Sequence, residues 1–294
     1  MFRPTLLLTA ALLPLLSGCG VTEPTAPASA ASQATVSPQA LAARLPPSGT
    51  VVWDWQIGAG DRQIKAPAGA RLLDVDGFET SAATVAALKA QGVYTVCYIN
   101  VGSYEPWRPD AARYPARLKL AQDPDWPDEA FLDVTDVFRA DSALAPILKA
   151  RFRMCRDKGF AAIEPDNLLV DEAVPERVSR QQQLDFNGWI TDQAHALGLA
   201  ILQKNGPDRV LQRDRQGRRM VEVFDGILNE QCQQYAECAP LAEYVKRGKL
   251  ALDVEYRAKV ALDCAQARGL GINLLGRDLG LTAPGTKGYR RTTC

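Results

Sequence analysis

Apolar residues in this chain fall in short runs that alternate with segments of helical spacing. The runs 51–57, 72–76, 93–99, 161–164, 199–203, 225–229, 250–254 and 271–275 are mostly flanked by Gly, Pro or Asn, the length and punctuation of buried strands. A shorter run, 131–134, follows a loop rich in Pro and Asp and is expected to be an extra element outside the main sheet. Between the runs, "QQQLDFNGWITDQAHALG" places Leu184, Phe186, Trp189, Ile190, Ala194 and Leu197 mostly at three-and-four spacing and stops at Gly198. "APILKARFRMCRDKG" and "PLAEYVKRG" stop the same way, at Gly159 and Gly248. Eight strands separated by helices predict a parallel sheet, and the spacing fits a (β/α)8 TIM barrel, although a doubly wound sheet gives much the same signal.

The N-terminus does not share this pattern. Arg3 precedes an apolar run at 6–16, too short to cross a bilayer as a mature helix, and the stretch 1–18 reads as a signal peptide. It ends in Leu16-Ser17-Gly18-Cys19, which resembles the lipobox of bacterial lipoproteins. That resemblance implies lipidation of Cys19, an exported chain in the cell envelope and a membrane partner reached through a lipid anchor. Residues 19–48, rich in Ala, Pro, Ser and Thr, read as a flexible linker, leaving 49–294 as one domain.

Charge removes some partners. With 34 basic and 34 acidic residues there is no excess of positive charge for a nucleic acid to meet, so no nucleic-acid partner is expected. Cys97, Cys155, Cys232, Cys238, Cys264 and Cys294 form an even set in an exported chain, which favours disulfides over metal ligands. The preferred pairing is Cys232–Cys238, Cys264–Cys294 and Cys97–Cys155.

In a barrel the C-terminal ends of the strands build the active site. Those ends carry Asp54, Trp55 and Gln56; Asp74 and Asp76; Tyr98, Asn100, Ser103, Tyr104 and Glu105; Glu164, Asp166 and Asn167; Lys204 and Asn205; Asn229, Glu230 and Gln231; and Asp253, Glu255 and Tyr256. One polar residue after a strand is ordinarily a turn or cap. Seven such ends together point to a polar site. The single histidine, His195, falls off the apolar stripe of its helix and is expected at a solvated surface, which leaves no Ser-His-Asp triad and no Cys-His pair. No Gly-rich phosphate motif opens a helix, and no cofactor or metal is implied. Carboxylates with aromatic and amide neighbours are instead the equipment of glycoside hydrolysis, with Trp53, Trp55, Tyr104, Trp107 and Tyr256 as candidate surfaces for sugar rings.

The segments "WDWQIG", "DVDGFETSAATVAALKAQGVYTVCYINVGSYEPWRPD", "FLDV", "GFAAIEPDN", "FDGILNEQCQQYAEC" and "LDVEY" together resemble glycoside hydrolase family 114, the endo-α-1,4-polygalactosaminidase-like TIM barrels. The resemblance implies cleavage of α-1,4-linked galactosamine polymers by Asp166 and Glu230. It also implies a polysaccharide partner, a cationic amino-sugar polymer. The segment "KNGPD" departs from the family's Lys-Asn-Asp pattern and would displace a carboxylate from near Lys204 to Asp208. Asn167 and the rim amides would keep Asp166 ionised as nucleophile, and Glu230, with its longer stem, would be the acid. Asp54, Asp76, Glu105, Glu164 and Glu255 would supply acidity for a cationic chain, whose binding would weaken with salt. The remaining substrate contacts would come from Trp55, Tyr98, Ser103, Tyr104, Asn167, Lys204, Asn205, Asn229, Gln231 and Tyr256. Two alternatives stay open: a lipid-anchored protein that binds polysaccharide without cleaving it, and a hydrolase of another amino-sugar polymer.

Overall fold

The structure, a computed structural model, describes residues 45–256 and 262–294. The signal segment, Cys19 and all of the linker up to residue 44 lie outside the described residues. The described strands are β1 (Trp53–Trp55), β2 (Leu72–Asp76), β3 (Tyr94–Asn100), β4 (Ser103–Tyr104), β5 (Lys119–Gln122), β6 (Ala130–Leu132), β7 (Ala162–Asp166), β8 (Ala200–Lys204), β9 (Gly226–Glu230), β10 (Leu250–Glu255), β11 (Asn273–Arg277) and β12 (Arg291–Thr293). β1, β2, β3, β7, β8, β9, β10 and β11 pair in that order, each parallel to the next, and β12 adds antiparallel to β11. This is the curled parallel sheet of a (β/α)8 barrel. The run at 131–134, expected as an extra element outside the main sheet, contributes to β6 in a separate antiparallel sheet, β4-β6-β5.

The alternation of side chains along each strand sorts residues between two apolar regions. Trp53, Trp55, Leu72, Val96, Leu202, Leu228, Leu252 and Leu275 point inward and fill the barrel. Leu73, Val75, Cys97, Ile99, Ile163, Ile201 and Ile227 point outward and pack under the helices. Those helices include α1 (Ala82–Ala90), α2 (Leu144–Lys158), α3 (Val170–Ala173) and α4 (Arg180–His195). Ser179 caps α4 in a reciprocal box with Gln182, and Gly159 ends α2 at φ 91°, where a residue with a Cβ is strained.

Side chains draw β1 to β11 where the first and last barrel strands approach. Asn273 accepts from the Val51 amide at 2.8 Å and its carbonyl from Trp53 Nε1 at 3.1 Å. Buried Arg277 donates to the Trp55 carbonyl and, at 2.6 Å, to Asp54, and Arg291 of β12 reaches the Trp53 carbonyl at 2.9 Å. The three disulfides join Cys97 to Cys155, Cys232 to Cys238 and Cys264 to Cys294, the preferred pairing.

His195 is partly exposed and stands away from the barrel mouth, as expected, but it has a partner. Its Nε2 lies 2.8 Å from Asp225 Oδ2, an oxygen that also accepts the Ile201 amide, so the imidazole pins a loop to the start of β8 rather than standing free in solvent.

Candidate active site

Three adjacent strands end in the residues that meet at the barrel mouth. β7 ends in Asp166, β8 in Lys204 and β9 in Glu230, and the period of two turns all three inward. Each is followed by a residue with positive φ: Asn167 at 62°, Asn205 at 53° and Gln231 at 62°. Asn and similar short polar residues adopt this backbone more readily than branched ones, so the chain leaves each strand sharply while the carboxylate or ammonium stays at the rim. Pro165 fits inside β7 because the ladder to β8 runs through Ile163–Ile201 and no further, while pairing to β3 continues to Asn100–Asp166.

Lys204 ties the mouth together. Its Nζ lies 2.9 Å from Asp166 Oδ1, 3.0 Å from Glu164 Oε1 and 3.3 Å from Glu230 Oε2, and 4.8 Å from the centre of the Trp55 ring. It is 3% exposed, so one buried ammonium is shared among three carboxyl groups at the base of the cleft. The Lys204 charge opposes the burial that raises the Glu164 carboxyl. Asp166 Oδ1 also accepts the Asn167 amide at 2.9 Å, and Oδ2 accepts the Tyr98 hydroxyl at 3.0 Å. Glu230 Oε2 accepts Asn205 Nδ2 at 3.0 Å and Oε1 accepts the Tyr256 hydroxyl. The Asn205 side chain works in both directions, its Oδ1 accepting the Glu230 amide at 2.9 Å.

These contacts separate the titrations. Burial by itself would raise the Asp166 carboxyl, but the Lys204 charge and hydrogen bond, with the Asn167 amide and the Tyr98 hydroxyl, outweigh it and hold the group below its ordinary range. One layer deeper, burial raises Glu164 to about 7 against the pull of Lys204. Burial, with the charge of and a hydrogen bond to the neighbouring Glu164, lifts Asp74 well above its ordinary value. The floor of the site therefore favours protonation of its buried acids, with Glu164 poised near neutrality, while the rim holds Asp166 ionised.

A cleft of about 1070 Å³ opens above this floor. Of the residues expected to touch substrate, Trp55, Asp76, Tyr98, Glu105, Asn167, Lys204, Asn205 and Tyr256 line it with Asp166 and Glu230. The structure places the others elsewhere. Asp54 points to the β1/β11 side and is bound by Arg277, Gln56 and Tyr289. Glu164 lies beneath Lys204. Ser103 is buried with its hydroxyl unpartnered, and Tyr104 packs edge-on to Tyr114 under Lys119. Asn229 faces outward to Asp253 at 3.0 Å, Gln231 bonds Gln234, and Glu255 accepts the Gln233 amide at 2.7 Å. Asp208 does not replace a carboxylate near Lys204; it pairs with Arg180 at the surface. Trp53 is core.

Much of the acidity expected of the rim is already neutralised. Arg108 lies 2.8 Å from Asp76 and 2.7 Å from Glu105, and Arg277 holds Asp54. The cleft instead gains Glu79, Asp123, Asp125, Glu129 and Glu172, along with the exposed rings of Trp107 and Trp126. Except for Trp107, these lay outside the sequence reading, although the density of Asp, Glu and Trp in "QDPDWPDEA" was the available signal. Cys232, Asp253 and Glu255 bring ligand-type atoms within 4.8 Å of one another, but the Cys232 sulfur is consumed by its disulfide and the two carboxylates accept backbone amides.

The model of the glycoside-hydrolase family GH114 matches residues 32–294. Among solved structures, Aspergillus fumigatus Ega3 in complex with galactosamine superposes with a TM-score of 0.72 at 23% identity, over 87% of this chain and 100% of that one. The glycoside hydrolase domain of PelA from Pseudomonas aeruginosa gives 0.59 at 15% identity, over 81% and 98%. No curated protein matches the sequence.

Proposed function

The chain belongs to glycoside hydrolase family GH114 and is a glycoside hydrolase, and from that premise we propose that it cleaves an α-1,4-linked galactosamine polymer with Asp166 as nucleophile and Glu230 as acid. The supporting observation is the shared ammonium: Asp166 and Glu230 each approach Lys204 within 3.3 Å, on neighbouring sides of an open cleft. Their Lys204-facing oxygens are consequently no more than about 6 Å apart, a ceiling that admits the close pairing of a retaining enzyme, the mechanism proposed here.

Asp166 is the group held ionised, as a nucleophile requires, and its attack on the anomeric carbon forms a glycosyl ester while Glu230 protonates the departing oxygen. Glu230 then takes a proton from water, and the resulting hydroxide attacks the ester, regenerating both groups. Trp55, beneath Lys204, and Tyr256, bonded to Glu230, shape the floor on which the reacting sugar rests. The galactosamine bound to Ega3 and the carboxylates facing this cleft both favour an amino-sugar chain.

Three disulfides suit an oxidising compartment outside the cytosol. Taken with Leu16-Ser17-Gly18-Cys19, they support export and a lipid anchor on Cys19, which Cys19→Ser should abolish along with incorporation of labelled palmitate in a bacterial host.

The test of the activity is the release of reducing ends from α-1,4 galactosaminogalactan by the purified domain. Asp166→Asn and Glu230→Gln should each abolish release without lowering thermal stability. Tight binding of the polymer with no cleavage would favour the non-catalytic reading, and cleavage only of another polymer the third.

A further inference from the structure

The β5–β6 connection, residues 123–129, presents groups to the cleft that the bond-breaking pair leaves unused. Its backbone is held firmly: the Asp123 amide donates to the Glu129 carbonyl at 3.0 Å and the Glu129 amide to the Trp126 carbonyl at 2.8 Å. Asp123 Oδ1 accepts the amides of Asp125 and Trp126 at 2.9 and 3.2 Å, the side-chain turn typical of Asp. The result is a preorganised wall rather than a loose strap.

Two side chains of this wall differ sharply in exposure. Trp126 lines the cleft at 61% exposed, a large flat apolar ring left in water. Glu129 lines the same cleft at 8% exposed. Its Oε2 accepts Asn100 Nδ2 at 3.1 Å, and Asn100 is paired across the ladder with Asp166, so the carboxyl is anchored one side chain away from the proposed nucleophile. Among the described residues no donor bonds Oε1, and no Lys or Arg stands within ion-pair distance of either oxygen. A buried carboxyl aimed into a cleft without a cation is costly unless something else supplies one.

We infer that residues 123–129 form an amino-sugar subsite in which Trp126 covers a face of the sugar ring and Glu129 receives the protonated amino group. The inference rests on the galactosamine reading above and deepens it, assigning the distinction between free and acetylated amines to one residue. Burial, with Glu105, Asp166 and Asp123 facing it and Arg108 opposing, raises the Glu129 carboxyl to about 8, so at neutral pH it carries its proton. An arriving ammonium brings the missing cation: the carboxylic O–H bond breaks, the proton leaves to solvent, and a carboxylate–ammonium pair remains. An acetylated ring brings no charge and leaves the proton where it is.

The experiment uses the otherwise intact chain carrying Glu230→Gln, which blocks turnover, and titrates it at pH 7 with an α-1,4 galactosamine oligomer and with its N-acetylated counterpart. Calorimetry in two buffers of different ionisation heat reads affinity and proton release together. The deacetylated oligomer should bind with net release of a proton. Adding Glu129→Gln, which can still accept from Asn100, should weaken that binding by about tenfold or more and remove the proton release, leaving the acetylated oligomer unchanged. Trp126→Ala should weaken both. An equal loss for the two oligomers on Glu129→Gln, or proton release that survives it, would overturn the subsite. Failure of the wild-type chain to cleave the deacetylated oligomer would instead overturn the parent reading, and the subsite with it.

Discussion

Lys204 Nζ sits 2.9 Å from Asp166 Oδ1, with Glu164 and Glu230 at 3.0 and 3.3 Å. The contact fixes the charge state of the mouth: the ammonium is raised well above its ordinary pKa by Asp166, Glu164 and Glu230 despite burial, which opposes it, and in return holds Asp166 low. Lys204→Met should therefore raise the Asp166 pKa, moving the acidic limb of the kcat/KM profile to higher pH. It should also lower kcat by about 10²-fold or more, as loss of a preorganised electrostatic partner does. A pH profile on a soluble oligomer checks both effects.

Glu164 gives the stability of the fold a pH dependence. Its folded pKa of about 7 exceeds the unfolded carboxyl value, so the native state holds a proton that the unfolded chain has lost. The contribution is fully present below about pH 4 to 5 and disappears as pH rises through 7. Asp253, also raised to about 7, chiefly by burial, acts in the same direction. Thermal unfolding should show Tm falling between pH 5 and 8, and Glu164→Gln should flatten part of that fall.

Gly102 has no room for a side chain. A Cβ there would stand 1.9 Å from the Asn167 carbonyl oxygen, so Gly102→Ala must displace the backbone that follows Asp166. A loss of about 1–3 kcal/mol in denaturant unfolding is expected, the usual cost of overpacking, together with reduced turnover from a misplaced Asp166.

Arg277 is the buried cation between β1 and β11, and Asp54 is its buried partner. Arg277→Ala removes the nearest cation from the Asp54 carboxylate, leaving it Gln56, Tyr289 and a more distant Arg291 at 3.7 Å, and should cost about 3 kcal/mol in urea unfolding. The double variant Arg277→Met/Asp54→Leu should recover much of that loss.

The barrel itself was legible because its strands and helices differ in period. All eight runs matched strands to within two residues at either end, and for three of them the displacement has one physical cause. β7, β8 and β9 keep their strand geometry through Asp166, Lys204 and Glu230, where a reading by apolarity stops early. The first run is shortened at both ends, from 51–57 to Trp53–Trp55. The errors within the site came from treating every polar residue at a strand end as facing inward. Trp55, Glu230 and Tyr256 reach the cleft, while their neighbours Asp54, Asn229 and Glu255 face away, as the period of two requires. Glu129 could not be read by any period, because its position depends on a turn and on Asn100 from a distant strand.

The measurement that bears most directly on the proposed pair is the NMR anomeric assignment of the first product formed from an α-1,4 galactosamine oligomer, by the wild type and by Asp166→Asn. The expected result is an α-configured reducing end from the wild type before mutarotation and no product from the variant. A β-configured first product, or near wild-type turnover without the Asp166 carboxylate, would contradict it.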